Sequence, residues 1–303
     1  MDLRQLDYFV RVTELGSFSR AAAVLRVAQP ALSRQVRQLE VELKQTLLLR
    51  NGRGVTVTEA GRRMLLHARG LLEQATQVRR AMDAIKGMPV GLIALGLPPT
   101  LARLLTVPLV NAFRARLPHA QLAVVEVLSS TMLEWLTLGR VDVGVLFNAV
   151  PTAGVELRPW LEEPLFLVGP ASARRPSGAV TLAGIARYPL VIPRRPNAFR
   201  MLVEARLAAI GATPRIALEI DGVLAIRDLV AQGHGYAILS GAALTLISAK
   251  DELSAHPITR PMLKIPVSIG VSAHRPASPL QTATVALIKE IGEAVIKSAA
   301  GAQ

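Results

Sequence analysis

At 303 residues, 51 % apolar and 19 % charged, the chain has the length of two or three folded units and is too apolar to be disordered. Lys and Arg number 35 against 22 Asp and Glu, a formal charge of +13 and a sequence pI near 11.2, which directs attention to phosphate-bearing partners or an anionic membrane surface. The absence of cysteine excludes disulfides, thiolate nucleophiles and cysteine-based zinc or iron–sulfur sites.

Met1 to Val12 carries Asp2 and Asp7 among its apolar residues, so no secretory signal and a cytoplasmic location are expected. The longest uncharged stretch, Leu229 to Ala249, contains Gln232, His234 and three glycines. It reads as buried helix, turn and strand, so no membrane span is expected.

The first 87 residues hold 15 Lys/Arg and 8 Asp/Glu, a net +7 that exceeds half of the total charge. Within them Leu3, Leu6, Phe9, Val10 and Thr13 recur at helical spacing, Gly16 supplies a left-handed stop, and Ser17 caps the next helix. That short alanine-rich helix, Phe18 to Leu25, leads through Arg26, Val27 and Ala28 into a third helix, with Pro30 in its first turn. The apolar stripe of this third helix is Leu32, Val36, Leu39 and Leu43. Leu47 to Leu49 and Val55 to Val57 are short strands around the turn cluster Asn51, Gly52 and Gly54, a hairpin of the kind called a wing. A DNA-binding domain over 1–58, with a helix-turn-helix at 18–37, is the expected first unit.

Thr58 and Glu59 open a long helix, 59–88. Its apolar or small residues, Gly61, Met64, Ala68, Leu71, Ala75, Val78, Met82 and Ile85, step by three and four. Such a heptad seam fits two helices packed against each other, and one helix packed on its own domain is the alternative. Beyond Gly87, Pro89 and Gly91, strand-like and helix-like runs alternate, as in an α/β sheet. They are Gly91–Leu97, Leu101–Leu117, Gln121–Leu128, Met132–Leu138 and Val141–Phe147, then Leu190–Ile192, Phe199–Ile210, Arg215–Ile220, Leu224–Gln232, Tyr236–Leu239 and Ile265–Val271, with a last helix after Pro279. The fold class is therefore α/β overall, with the last domain spanning 89–303.

The second helix of a helix-turn-helix presents its N-terminal residues to the major groove, which calls for early polar side chains. Gln29, Ser33, Arg34 and Arg37 meet that demand, with Gln29, Ser33 and Arg37 sharing the face opposite Leu32, Val36 and Leu39. Glutamine pairs bidentately with adenine and arginine with guanine, while the Pro30 ring or the Ala31 methyl suits a thymine methyl. Arg50 and Arg53 flank the wing turn, where they suit phosphates or the minor groove. For any single arginine, a plain solvated position is the competing account.

The run Ser17-Phe18-Ser19-Arg20-Ala21-Ala22 through Gln29-Pro30-Ala31-Leu32-Ser33, then Leu39-Glu40 and Thr58-Glu59-Ala60-Gly61, resembles the signature of LysR-type transcriptional regulators in order and spacing. The Gln29-Pro30-Ala31-Leu32-Ser33 start and the Arg53-Gly54-Val55-Thr56 wing are similar to the nitrogen-assimilation and cyanate-regulator neighbourhood of that family. Lys44 departs from the family pattern, standing where glycine usually ends the reading helix, and so does Leu48, where phenylalanine usually packs under the wing. The resemblance implies a winged helix-turn-helix with its reading helix at Gln29 to Glu42, a dimerising linker helix, and a two-lobed domain similar to periplasmic solute-binding proteins. Lobe one is placed at 91–162 with 268–303 and lobe two at 163–267, joined by two crossing strands.

The partners so implied are double-stranded promoter DNA, bent by a homodimer or homotetramer, RNA polymerase, and a small, often anionic effector held between the lobes at helix N-termini. Expected effector contacts are Pro99, Thr100, Ser129, Ser130, Thr131, Phe147, Pro193 and Asn197, although hydroxyls at helix starts also serve as plain caps. Arg194 and Arg195 either point into the cleft, welcoming a carboxylate, or face solvent. Gly233-His234-Gly235-Tyr236 reads as a turn in lobe two, since Gly-x-Gly alone is weak evidence for a phosphate loop.

An enzyme of α/β class and a solute-binding protein without regulation are the rival readings. The five histidines lack metal-ligand spacing, and no Gly-x-Ser-x-Gly elbow or Walker loop occurs, so no catalytic residue, metal or cofactor is expected. A solute-binding protein leaves the basic N-terminal segment without a purpose.

Overall fold

The computed structural model describes residues 1–51, 54–84, 89–171, 178–245, 247, 252–273 and 277–301. The chain divides into two compact units, one built on residues 1–86 and the other on 87–137 with 141–303.

In the first unit α1 (Leu3–Leu15) begins at a capping box: the Gln5 amide donates to Asp2 Oδ1 at 2.8 Å and the Asp2 amide to Gln5 Oε1 at 3.0 Å. It stops at Gly16, whose φ of 62° glycine adopts without steric cost. Ser17 then opens α2 (Phe18–Leu25) by accepting from the Arg20 amide at 3.3 Å. α3 (Gln29–Leu43) starts from Ala28 with no side-chain cap and carries Pro30 in its first turn. Arg26 and Lys44 end α2 and α3 in the left-handed region, at φ 54° and 51°, so the Lys44 departure is accommodated by the backbone a glycine would take. Leu6, Phe9, Leu32, Leu39 and Leu47 form the core of this unit, each contributing roughly 2 kcal/mol of transfer free energy.

The hairpin β1 (Leu48–Asn51) and β2 (Gly54–Val57) pairs Leu48 with Val57 and Asn51 with Gly54, and Leu48 is buried beneath it. Next comes α4 (Glu59–Ala84). Gly61 sits so close to the hairpin that a Cβ there would lie 2.2 Å from the Leu47 carbonyl oxygen. The apolar seam of α4 is divided in use. Gly61 and Ala68 are buried within the unit, whereas Leu71 and Val78 are 38 % and 62 % exposed. The Met82 side chain and Ile85 lie outside the described residues.

The second unit runs β3 (Gly91–Leu97), α5 (Pro99–Arg116), β4 (Ala120–Glu126), α6 (Ser129–Leu138), β5 (Val143–Phe147), β6 (Val155–Pro170), β7 (Val180–Thr181) and a 3-10 turn (Ala183–Arg187). It continues with β8 (Pro189–Ile192), α7 (Ala198–Ala208), β9 (Arg215–Glu219), α8 (Val223–Ala231), β10 (Ala237–Ser240), α9 (Gly241–Leu244), β11 (Leu253–Thr259), β12 (Lys264–Ser272) and α10 (Pro279–Gly301). Among the described residues the strand order is β4-β3-β5-β12-β6-β11-β7, with β10 also on β6, and β8 pairs separately with β9.

β6 is the member that the alternating pattern did not reveal. Its first part pairs with β12 from Val155 to Pro164, and its second part pairs with β10 and β11 from Leu165 to Pro170. Pro159 and Pro164 remove ladder donors, and the register with β12 shifts beside Pro159, so inside and outside positions do not alternate cleanly along it. β6 and β12 thus run between two α/β layers, one around β3, β4 and β5, the other around β8, β9 and β10.

Candidate functional site

Two surfaces gather the residues singled out by the sequence. The first lies on α3. Leu32, Val36 and Leu39 are drawn into the core, which turns Arg34 and Arg37 out into solvent and leaves Gln29, Ala31 and Ser33 half-buried, with Pro30 exposed. Other arginines of the unit are engaged by acids: Arg11 by Asp7 and Glu14, Arg69 by Glu14, and Arg62 by Glu59. The first turn of α3 carries no side-chain cap: Pro30 has no amide hydrogen, and the Ala31 and Leu32 amides both donate to the Ala28 carbonyl, at 3.0 and 3.1 Å.

Three sets of bonds hold the wing in place, one of them from this helix. Glu40 of α3 accepts from the amides of Leu47 and Leu48 at 2.8 and 3.0 Å. The Val55 amide donates to the Gly16 carbonyl at 3.1 Å. The Thr58 hydroxyl donates to the Thr46 carbonyl at 2.7 Å and accepts from the Gly61 amide at 2.9 Å. Glu40 was visible in the sequence only as part of a resemblance, and Thr58 also as the start of the long helix. Arg53 and the Arg50 side chain lie outside the described residues.

The second surface is a cleft of about 770 Å³, its open mouth included, within the second unit. One wall is made by the turns after β3 and β4 and by the end of β5: Pro98 to Thr100, Leu128 to Ser130, and Phe147. The opposite wall comes from the ends of β8, β9 and β10: Val191, Pro193, Pro196 to Phe199, Asp221, Val223, Ile226, and Ile238 to Ser240, with Ala243. Helix starts therefore converge on it from both sides, at the carboxyl ends of strands, where open α/β sheets bind ligands. Of the expected contacts, Pro99, Thr100, Ser129, Ser130, Phe147, Pro193 and Asn197 are in the lining, and Thr131 is not.

Some of the hydroxyls and amides there are already engaged by the backbone, Ser129 by a strand amide and Asn197 as a helix cap. Ser129 Oγ accepts from the Phe147 amide at 3.0 Å, and Asn197 Oδ1 accepts from the Phe199 amide at 2.9 Å. Phe147 and Phe199 meet across the cleft with ring centroids 4.9 Å apart and planes inclined at 60°, a favourable tilted arrangement.

Neither Arg194 nor Arg195 is in the lining, and both are held by acids. Arg194 donates to Asp221 from its backbone amide at 3.0 Å, from Nε at 2.9 Å and from Nη2 at 2.7 Å. Those bonds hold the Asp221 carboxyl below its usual range. Arg195 pairs with Glu204 at 2.7 Å. Arg200, itself buried, also reaches Glu204, and it donates to Glu219 at 3.1 Å and to the Pro193 carbonyl at 3.3 Å. The sequence missed Asp221 and Ser240, although each immediately precedes or caps a helix start, the same signal that marked Ser129.

Behind the wall, Glu163 of β6 is 1 % exposed. Its Oε2 accepts from the Ala242 amide at 3.1 Å, while Oε1 has no partner among the described residues. Burial pushes its carboxyl above the usual range, opposed in part by the Ala242 amide and the Ser240 hydroxyl. Among the described residues no cluster of histidine and acids suits a metal, and no helix is long and apolar enough to cross a membrane.

Two family models match the chain. One, described as "Bacterial regulatory helix-turn-helix protein, lysR family", covers residues 3–62, and the other, "LysR substrate binding domain", covers residues 86–293. The chain is 36 % identical over 293 residues to the nitrogen assimilation regulatory protein nac of Klebsiella aerogenes, with 96 % of this chain and 94 % of that one covered. It is 35 % identical over 300 residues to the protein of the same name in Escherichia coli (strain K12), with 98 % and 96 % covered. Among solved structures, full-length CbnR complexed with its target DNA matches with a TM-score of 0.72 and 27 % identity, over 96 % of this chain and all of the other.

Proposed function

The chain belongs to the LysR family of DNA-binding transcription regulators and is not an enzyme, and on that basis we propose that a small effector, bound in the cleft of the second unit, retunes how α3 and the wing engage promoter DNA. Gln29, Pro30, Ala31, Ser33, Arg34 and Arg37 are the base- and phosphate-facing set of the reading helix, with Arg50 and Arg53 at the wing. Pro99, Thr100, Ser129, Ser130, Phe147, Pro193 and Asn197 are the effector contacts. The lobes are residues 91–162 with 268–303 and residues 163–267.

The observation that carries the reading is the convergence of helix starts from both walls on one largely apolar cavity. A ligand touching both walls has different affinity for open and closed arrangements, and that difference is what shifts an equilibrium. The exposed Leu71 and Val78 on α4 pair with a second copy, so that two reading heads meet two half-sites, and a second dimer extends the footprint. The regulator works in the cytoplasm on genes of nitrogen assimilation, as the names of its relatives suggest, and RNA polymerase is the machinery it serves.

The test is a footprint on DNA upstream of the protein's own gene, with and without a small-molecule extract of cells grown on different nitrogen sources. Wild-type protein is expected to shift its footprint or bend with one extract, and Ser130→Trp, which fills the cleft from an exposed position, is expected to bind DNA but ignore the extract. An undiminished response in Ser130→Trp would remove the cleft from the account.

A further inference from the structure

The charge around the cleft is one-sided. No lysine, arginine or histidine is among the described residues that line it, and its one ionised side chain is Asp221. The three arginines near the Pro193–Asn197 loop are each engaged by acids: Arg194 by Asp221, Arg195 by Glu204, and Arg200 by Glu204 and Glu219. A ligand carrying one negative group finds donors at the starts of α5 and α6, where Thr100, Ser129 and Ser130 lie, together with the positive ends of those helices. A second negative group meets no cation among the described lining residues and faces the Asp221 carboxylate, which offers it acceptor oxygens and no donor. The remaining surface, including the Phe147–Phe199 pair, Val223 and Ile226, suits an apolar or planar body.

Building on the reading of this cleft as the effector site, we propose that Asp221 is its charge-specificity residue. By occupying Arg194 and lining the cavity itself, it restricts effectors to compact, mainly apolar molecules with no more than one negative charge. Arg194 is the cation that Asp221 withholds. Freeing it converts the cleft into one that accepts a dianion.

The experiment is calorimetric titration of the full chain with five probes: benzamide, benzoate, phthalate and benzylamine, which share a ring and differ mainly in charge, and inorganic phosphate. Wild-type protein is expected to bind benzamide or benzoate at least about tenfold more tightly than phthalate or phosphate, since like-charge juxtaposition is costly. Asp221→Asn is expected to gain about tenfold or more for phthalate, because it removes the like charge and releases the Arg194 guanidinium for a bidentate contact. The double variant Asp221→Asn with Arg194→Gln is expected to lose that gain. Arg194→Gln alone leaves the aspartate uncompensated and is expected to weaken benzoate and admit the cation benzylamine, which provides a test independent of how Asp221→Asn folds. Preference of the wild type for phthalate or phosphate, or the absence of any phthalate binding by Asp221→Asn, overturns the proposal. Probe binding that survives Ser130→Trp unchanged overturns the cleft reading beneath it instead.

Discussion

Glutamine at position 163 changes the pH dependence of the second unit in a direction that the burial of Glu163 dictates. The wild-type carboxyl is 1 % exposed, accepts one backbone hydrogen bond at 3.1 Å, and leaves Oε1 without a partner among the described residues. Burial raises its pKa in the folded protein above the ordinary value of 4.5, so the folded state holds this proton more tightly than the unfolded state. The stability associated with the group is fully present below the unfolded value and is lost as pH rises towards the folded value. The loss is as much as about 1.4 kcal/mol for each pH unit between the two.

Glutamine keeps the shape and the acceptor for Ala242 but cannot ionise, so the advantage of Glu163→Gln over wild type should grow as pH rises. Trp135 and Trp160, the two tryptophans of the chain, both belong to the second unit, so urea unfolding followed by their emission from about pH 5 to about pH 8 reports this unit. Parallel curves for the two proteins, or a constant loss in the variant at every pH, would refute the reasoning.

The first unit yields two further expectations. Glu40→Ala removes a shared acceptor from the Leu47 and Leu48 amides, which should lower stability by roughly 2–3 kcal/mol and loosen the wing, read as a lower thermal midpoint together with weaker operator binding. Lys44→Gly relieves a left-handed lysine at φ 51° and should raise stability by about 1 kcal/mol with operator affinity unchanged, measured by chemical denaturation and DNA titration.

Legibility in the sequence tracked the range of the interactions. Gly16, Ser17 and Pro30 act on their immediate neighbours, so the boundaries of the first three helices could be read directly, and the stripe Leu32, Val36 and Leu39 fixed which face of α3 turns outward. Helix starts also marked most of the cleft, because a hydroxyl or proline before an apolar run has local meaning. Interactions that span distance in the chain could not be read. Arg194 and Asp221 are 27 positions apart, and nothing local says that the arginine turns to that acid and not to the cavity. β6 was hidden by its own prolines and bulge, and with it Glu163, whose burial arises from α9 folding against it. The α4 seam was legible as a pattern but not in its division between residues buried in the unit's own core, such as Ala68, and residues left exposed, such as Val78.

The most direct test of the central claim is protection of promoter DNA by the purified protein across a salt series, with Arg34→Ala alongside. The account predicts a discrete protected site whose affinity falls steeply with salt, and a loss of roughly tenfold to a hundredfold in the variant that is largest at that site. Equal protection by wild type and Arg34→Ala, or protection spread evenly over competitor DNA, would contradict it.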